Sequence, residues 1–517
     1  MALDEKRMTM QPTLGLRRPK PVPPAAPTER QGRTGLGAPT WVLGVLYFAL
    51  ALGAWAESSP LLLWAGLPLA LWIAMDNPAG LVTMLGLTVP MFPVLRVATD
   101  ELGAQSVSTK GLFFSADDPL VLALLVAWAR SMLARGGKGP AVFPRALVWL
   151  MGLYPAVWAV NALRLDWNQW AVCGLYFLKW AEYALLALAI PGALSTMSAG
   201  RLLGQYRRAS VFAIAASAVF AAYEMAESIR TGAFSAAASY PRASAFFGTL
   251  DPQRFGASED PVNFGVYAMV AGSIAFGAFG KSRRLDGSSA GAVAAAAVAL
   301  AASVSRAPWL AAVTAFLKIY RLRSSRLLIG LLGLAILALG AALLLPEVWE
   351  VNAERFSAMR FWGESRESSA ASRLTIALNS PVFEVDQYWL TGHGHSSYRF
   401  IAESHLAAIT GRLSRSLYNF FLTIWYDAGP AGLLLWILLF RQLNRKFTWL
   451  ADAGSSNEVR AMAKGLLGAL WGLAAASMFS EVPYNWRVMG VFYTAVGVCL
   501  AAEAAGARAA RGAVARP

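Results

Sequence analysis

Apolar residues in this chain come in long runs that recur almost from end to end. From Thr40 onward, runs of spanning or near-spanning length lie near 40–56, 60–76, 79–96, 118–134, 143–163, 170–191, 208–226, 262–280, 288–304, 307–320, 326–346, 416–440, 461–480 and 486–505. A hydrocarbon core about 30 Å thick asks for such lengths in helices rising about 1.5 Å per residue. The pattern predicts an all-α polytopic membrane helix bundle of about fourteen spans with one large external loop. Residues 1–38 break it. They are Pro-rich, carry Lys6, Arg7, Arg17, Arg18, Lys20, Arg30 and Arg33, and lack apolar periodicity, which predicts a disordered basic cytoplasmic tail rather than a signal peptide.

Charge orients the bundle. Loops on the cytoplasmic side of a membrane collect Lys and Arg, and threading from an inner tail puts Arg135–Arg145, Arg201–Arg208, Lys281–Arg284, Lys318–Arg326, Arg441–Lys446 and the tail with Arg508, Arg511 and Arg516 inside. Both termini are then cytoplasmic. Three longer polar segments, Arg96–Asp118, Glu227–Asp260 and Glu347–Arg415, fall outside. The last is long enough to be functional, and its SRESSAASRLTIALNSP stretch predicts a short amphipathic helix ended by Pro381. The expected division is a tail at 1–38, N-terminal spans at 39–226, a core at 227–440 including the external loop 347–415, and C-terminal spans and tail at 441–517.

Composition sharpens this reading. At 57% hydrophobic and 15% charged residues, the chain is excluded from the soluble enzymes. The net charge of +15 would suggest nucleic acid in a soluble protein; here the basic inner loops account for it, and no nucleic acid partner is expected. Cys173 and Cys499 sit in apolar runs, which leaves neither a disulfide framework nor a CxxC metal site.

Candidate chemistry concentrates in Gly392 to Gly432, whose skeleton is Gly392-x-Gly394, then Tyr418-Asn419 opening an apolar helix, then Asp427-x-Gly429-x-x-Gly432. Three elements precede it in order: Arg242 and Asn263 within PRASAFFGTLDPQRF…EDPVNFGVYAMV, Arg306 in SVSRAPWLAAV, and Arg373 in SSAASRLTIALNSPVF. In that order and spacing the elements resemble the O-antigen ligase and polymerase family of bacterial envelope glycosyltransferases. The resemblance implies an enzyme in the bacterial inner membrane with its site facing the periplasm. Such an enzyme transfers a glycan, with inversion, from a polyprenyl-pyrophosphate donor to a hydroxyl acceptor, using no metal, cofactor or nucleotide sugar. The acceptor would be a carrier-linked repeat or a lipid core oligosaccharide. Membrane lipids, and a chain-length regulator or flippase of the same pathway, are further candidate partners.

The same resemblance assigns roles. Arg306 and Arg373, with Arg242 as a third, would hold the pyrophosphate, a task suited to guanidinium forks that stay charged and bind phosphate oxygens in bidentate fashion. A single Arg at a helix end can equally snorkel to headgroups. Asn263, Gly392, Gly394, Asp427 and Gly429 would support the site. The chain departs from the family at Tyr418-Asn419, where His-Asn is usual. A phenol with a reference pKa of about 10 is a poor base at neutral pH. The three histidines, His393, His395 and His405, all lie in the preceding loop. His405 or His395 is therefore the expected base, with Tyr418 and Asn419 orienting the acceptor if no strong base is needed. Metal ligation by this cluster finds no support in its spacing.

Lys179 and Glu182 sit three apart in mid-span, where they share a helical face and can pair, with Glu224 in the next span as a further member. Such charges mark either a function or a buried structural pair. They keep open an alternative reading as a polysaccharide or lipid-linked oligosaccharide transporter or flippase. The internal repeats or matched broken spans of a transporter are not found.

Overall fold

The computed structural model describes residues 38–57, 59–91, 94–97, 112–134, 144–163, 165, 167–194, 197–230, 261–277, 287–303, 305–320, 390–395 and 419–514. The described residues are helical except for one small hairpin and the connecting turns. In chain order the helices are α1 (Ala38–Ala56), α2 (Pro60–Trp64), α3 (Leu67–Asp76), α4 (Pro78–Met91), α5 (Asp118–Ala134), α6 (Arg145–Asn161), α7 (Trp167–Ala193), α8 (Ala199–Arg230), α9 (Pro261–Gly277), α10 (Gly287–Ala302), α11 (Arg306–Tyr320), α12 (Phe420–Ala453), α13 (Asn457–Ser477) and α14 (Trp486–Val514). Four stretches, Cys173–Ala193, Phe420–Ala453, Asn457–Ser477 and Trp486–Ala509, are long and apolar enough to cross a membrane, and shorter apolar helices accompany them. The chain is a multi-pass, all-α membrane protein. The tail before residue 38, the run at 326–346 and all of the external segment 347–415 except 390–395 fall outside the described residues.

Two expectations are corrected. The basic stretches Arg201–Arg208 and Arg441–Lys446, expected as inner loops, lie within α8 and α12. Neither contains proline, and in α12 the apolar stripe Leu443, Phe447 and Leu450 stays buried beyond Arg441, so packing carries the helix on to Ala453. The apolar run expected to span 79–96 stops at Met91, with Pro90 already inside the last turn of α4. Its remainder becomes strand β1 (Val94–Val97), antiparallel to β2 (Leu112–Ser115) with Val94 opposite Ser115.

Close packing of α9, α11 and α13 surrounds the C-terminal half. Gly465, Gly468 and Gly472 recur at spacings that put them on one face of α13. A Cβ on Gly465 would lie 2.6 Å from the Ile274 backbone of α9, and one on Gly468 would lie 2.6 Å from the Ile319 side chain of α11. Close approach of this kind replaces the hydrophobic drive that lipid does not supply between helices. Helix α14 packs along α7, and α10 along α8 and α9, so the N-terminal helices and the C-terminal pair form one core.

Gly465→Leu should force α9 off α13 and cost about 1–3 kcal/mol, as overpacking does. Gly204→Ala, at a position with nothing within 4 Å, should leave stability unchanged or slightly raised. Thermal unfolding in detergent micelles compares the two.

Candidate functional site

Helix α12 begins at a side-chain cap. Asn419 is extended, and its Oδ1 accepts from the amides of Phe421 (3.0 Å) and Leu422 (3.2 Å). These amides are among those a helix start leaves without partners. Asn419 Nδ2 donates to the Met478 carbonyl at 3.4 Å. Thr423, one turn on, lies 3.0 Å from the Asn419 carbonyl and 3.2 Å from Glu481 Oε1. The turn between α13 and α14, which contains the 3-10 segment Val482–Tyr484, is thereby stapled to the start of α12.

The helix then breaks inside its apolar length. Gly429 has φ 64° and ψ −170°, a region essentially confined to glycine. Pro430 follows it and offers no amide to the Tyr426 carbonyl four residues back. The Gly392–His395 segment makes good the loss. His393 N donates to the Tyr426 carbonyl (2.9 Å), and Gly394 N donates to the Asp427 carbonyl (2.8 Å). The fit is close enough to demand glycine on both sides, since a Cβ on Gly392 would overlap the Asp427 carbonyl and one on Gly429 would overlap the Leu390 carbonyl. The two glycine motifs of the sequence are therefore one contact.

Aromatic rings surround this contact. The His393 ring stacks on Tyr426 with centroids 4.2 Å apart and a 10° tilt. His395, only 2% exposed, presents its ring edge-on to Tyr154 (5.0 Å) and Tyr484 (4.5 Å), with Trp180 at 6.3 Å. Trp436 Nε1 donates to Tyr154 Oη (3.0 Å), Tyr154 and Tyr484 hydroxyls are 3.1 Å apart, and Tyr484 is hydrogen-bonded to the fully buried Asp427. Trp donates only, so Tyr154 accepts from Trp436, and the two tyrosine hydroxyls carry the chain on to Asp427. Burial and then the charge of Asp427 push the Tyr484 phenol well above its ordinary value.

A second polar cluster adjoins the first. Lys179 is paired with Asp118, lies 3.1 Å from Glu182, and donates to Ser115 Oγ at 2.9 Å. Tyr183 donates to Asp117 and stacks on Trp486 at 5.7 Å. The Lys179 ammonium is 5.2 Å from the Trp486 ring, and the buried Arg487 guanidinium is 4.8 Å from the same ring. Asp117, Asp118 and Glu182 form the one group of possible ligands with metal-like spacing among the described residues, their carboxylates lying within 4.8 Å of one another. Lys179 supplies positive charge to them directly. The expected Lys179–Glu182 pair thus forms, and Asp118 is its larger partner. Glu224 lies on α8, and its side chain falls outside the described residues.

Of the expected site residues, Gly392, Gly394, His395, Asp427 and Gly429 come together, and Asn419 lies at the start of the same helix. Asn263 is half-buried in the first turn of α9. Arg306 opens α11, with its side chain outside the described residues. Arg242, Arg373, His405 and Tyr418 lie outside them altogether. Tyr154, Tyr484, Glu481 and Arg487 were not legible as site residues: Tyr154 is a single polar residue in an apolar run, and the other three share a short polar turn, SEVPYNWR, that carries no motif.

Residues 291–437 match the family model described as O-antigen ligase. The match contains Arg306, Arg373, all three histidines and the glycine skeleton; Arg242 and Asn263 lie outside it. No curated protein matches the chain.

Gly429→Ala meets both the strained φ and the Leu390 carbonyl. It should release the Gly392–His395 segment, read as faster amide hydrogen exchange at His393 and Gly394, while α13 and α14 keep their protection.

Proposed function

We propose that this chain, whose residues 291–437 match the O-antigen ligase family model, is a glycosyltransferase of surface polysaccharide assembly. It moves glycan from a polyprenyl-pyrophosphate carrier onto a hydroxyl of a carrier-linked repeat or a core oligosaccharide. The observation that carries this reading is the coincidence of the family match with the interlocked Gly392–His395 and Asp427–Gly429 segments. The motif residues inside the match build one contact at a break in a membrane helix. Irregular backbone at membrane depth is tolerated where it is buried in protein or lines a cavity, and broken spans of this kind recur at substrate sites.

In this reading the acceptor oxygen attacks the anomeric carbon as the bond to the pyrophosphate oxygen breaks, and the electron pair leaves with the polyprenyl pyrophosphate. Arg306 and Arg373, with Arg242 as a third, bind the phosphate oxygens and stabilise the charge that builds on them. The acceptor proton leaves to a base at the outer boundary. The family resemblance offers the Tyr418-Asn419 pair, and the clustering of the histidines in the preceding loop offers His405 and His395. The burial of His395 among three aromatic rings favours His405 over it, and Asn419 acts through the helix start that it caps. No metal or cofactor enters the scheme. The transporter alternative draws nothing from Lys179 and Glu182, which are tied with Asp118 into a packed cluster between helices.

Arg306→Ala and Arg373→Ala should each lower transfer by about a hundredfold or more without loss from the membrane. Lys at either position should restore only part, since an ammonium lacks the guanidinium fork. Transfer from a purified carrier-linked donor is the measurement, and full activity in both alanine variants removes the arginine clamp. For topology, an alkaline phosphatase fusion after Ser369 should be active, as a periplasmic site requires, and fusions at either terminus inactive.

A further inference from the structure

We propose that the exposed face of α6 is a lipid-contact surface matching the bilayer from one hydrocarbon boundary to the other, and that the Gly392–His395 segment packed behind it is a re-entrant stretch reaching the middle of the membrane. The inference is drawn from helix faces and lengths and is independent of the glycosyl-transfer reading.

Helix α6 has two unlike faces. Leu147, Leu150, Tyr154 and Val157 are buried, on a helix that packs against α12 and α7. Val148, Trp149, Gly152, Ala156, Val160 and Leu163 are exposed. They follow the helical period along one stripe, and each is apolar. Trp149 is 68% exposed and Leu163 92%. An exposed apolar stripe that runs the length of a helix marks an interaction surface.

The ends of the stripe carry the signs of membrane boundaries. The exposed Arg145 opens the helix at one end. At the other, Leu163 is followed by Arg164-Leu165-Asp166 and then by Trp167, which is 73% exposed and 5.0 Å from Trp170. Trp170 stacks on Trp158 at 4.1 Å, and each indole donates to the backbone carbonyl of the other, at 2.9 and 2.8 Å. Tryptophan gathers where membrane meets water. From Arg145 to Leu163 the chain rises about 27 Å at about 1.5 Å per residue, which agrees with a hydrocarbon core about 30 Å thick. A bilayer requires that length of an apolar face, whereas a protein partner does not.

The depth of the glycine contact follows. Tyr154 lies midway between Arg145 and Leu163, about 14 Å from either boundary. The His395 ring is 5.0 Å from Tyr154, and a Cβ on Gly394 would lie 3.3 Å from Asn161 Nδ2, nearer the Leu163 end. Helix α12 gives the same depth by a separate route. Gly429, on which Leu390 and Gly392 pack, lies about 15 Å along the helix from the Asn419 cap. Both flanks of the segment belong to the polar stretch 347–415, so the chain enters and leaves on one side. Irregular backbone at such depth is tolerated when it is buried in protein, and Gly392, His393, Gly394 and His395 are all buried.

Depth can be read with nitroxides on Val148→Cys, Gly152→Cys, Ala156→Cys, Leu163→Cys and Leu390→Cys variants of the full chain, in phospholipid vesicles containing a lipid with a gadolinium-chelating headgroup. The natural Cys173 and Cys499 are buried, and labelled wild type gives the background. The five positions are exposed, and a Cβ at Gly152 meets nothing within 4 Å; Thr391→Cys, also at an exposed position, repeats the Leu390 reading. Relaxation by the headgroup gadolinium should be strong at Val148 and Leu163 and lost at Gly152, Ala156 and Leu390. Oxygen should reach Gly152 and Ala156 while a water-soluble nickel chelate is excluded there. Relaxation at Leu390 and Thr391 as strong as at Leu163 overturns the depth of the segment. Nickel access at Ala156 equal to that at Leu163, or spin–spin broadening at Ala156 from a second copy of the chain, overturns the lipid-facing stripe. Glycan transfer enters none of these readings, so their failure is distinct from failure of the enzyme assignment.

Discussion

Two carbonyl groups govern the described part of the site. Pro430 takes away the amide that the Tyr426 carbonyl would have used, and the reversal at Gly429 interrupts the ladder at Asp427. In water such groups would be solvated at little cost. Inside a membrane protein each unpaired group costs several kcal/mol. The break is therefore stable only with another stretch of backbone brought to it, and the amides of His393 and Gly394 are that stretch. Glycine at 392 and 429 follows from the closeness of approach, and the ring stacking of His393 on Tyr426 follows from the same docking.

This requirement explains why residues far outside the ligase match surround it. A backbone segment docked at mid-helix needs a dry, close-packed wall. Tyr154 from α6, Trp180 from α7, Trp436 from α12 itself and Tyr484 from the last turn supply it. The polar atoms of Trp436, Tyr154 and Tyr484 are joined in one chain that ends on Asp427, whereas Trp180 contributes its ring alone. The Lys179 cluster does the same work one layer away. It ties the β2–α5 junction, through Asp117 and Asp118, to α7 and the Trp486 end of α14. Removal of one member of such a pair leaves a buried charge without compensation, which is costlier than having neither.

The helices were legible because an apolar run of fixed length means the same thing wherever it occurs. The start of α12 was legible as the place where Tyr418-Asn419 opens an apolar helix, and the structure adds the cap that Asn419 supplies there. The glycine skeleton could be recognised but not interpreted. The contact between His393 and Tyr426 joins residues 33 apart in sequence, and no periodicity records that Gly392 and Gly429 face each other. Lys179 illustrates the limit. Its partner three residues on could be read from helical spacing, whereas Asp118, 61 residues away, could not. Basic runs misled where they implied loops, because Arg and Lys are good helix formers and do not by themselves end a helix.

A departure from the family at Tyr418 is physically sustainable if the dipeptide position chiefly organises the boundary. Asn419 caps α12 and holds the α13–α14 turn, and both tasks depend on its amide rather than on the residue before it. With that turn stapled in place, Glu481 and Tyr484 arrive together from the same short segment. One faces the helix start through Thr423, and the other faces the helix break through Asp427. A single connection of a few residues thus fixes both ends of the half-helix Phe420–Ala428. The cap and the staple therefore make no demand for an imidazole at the position before Asn419.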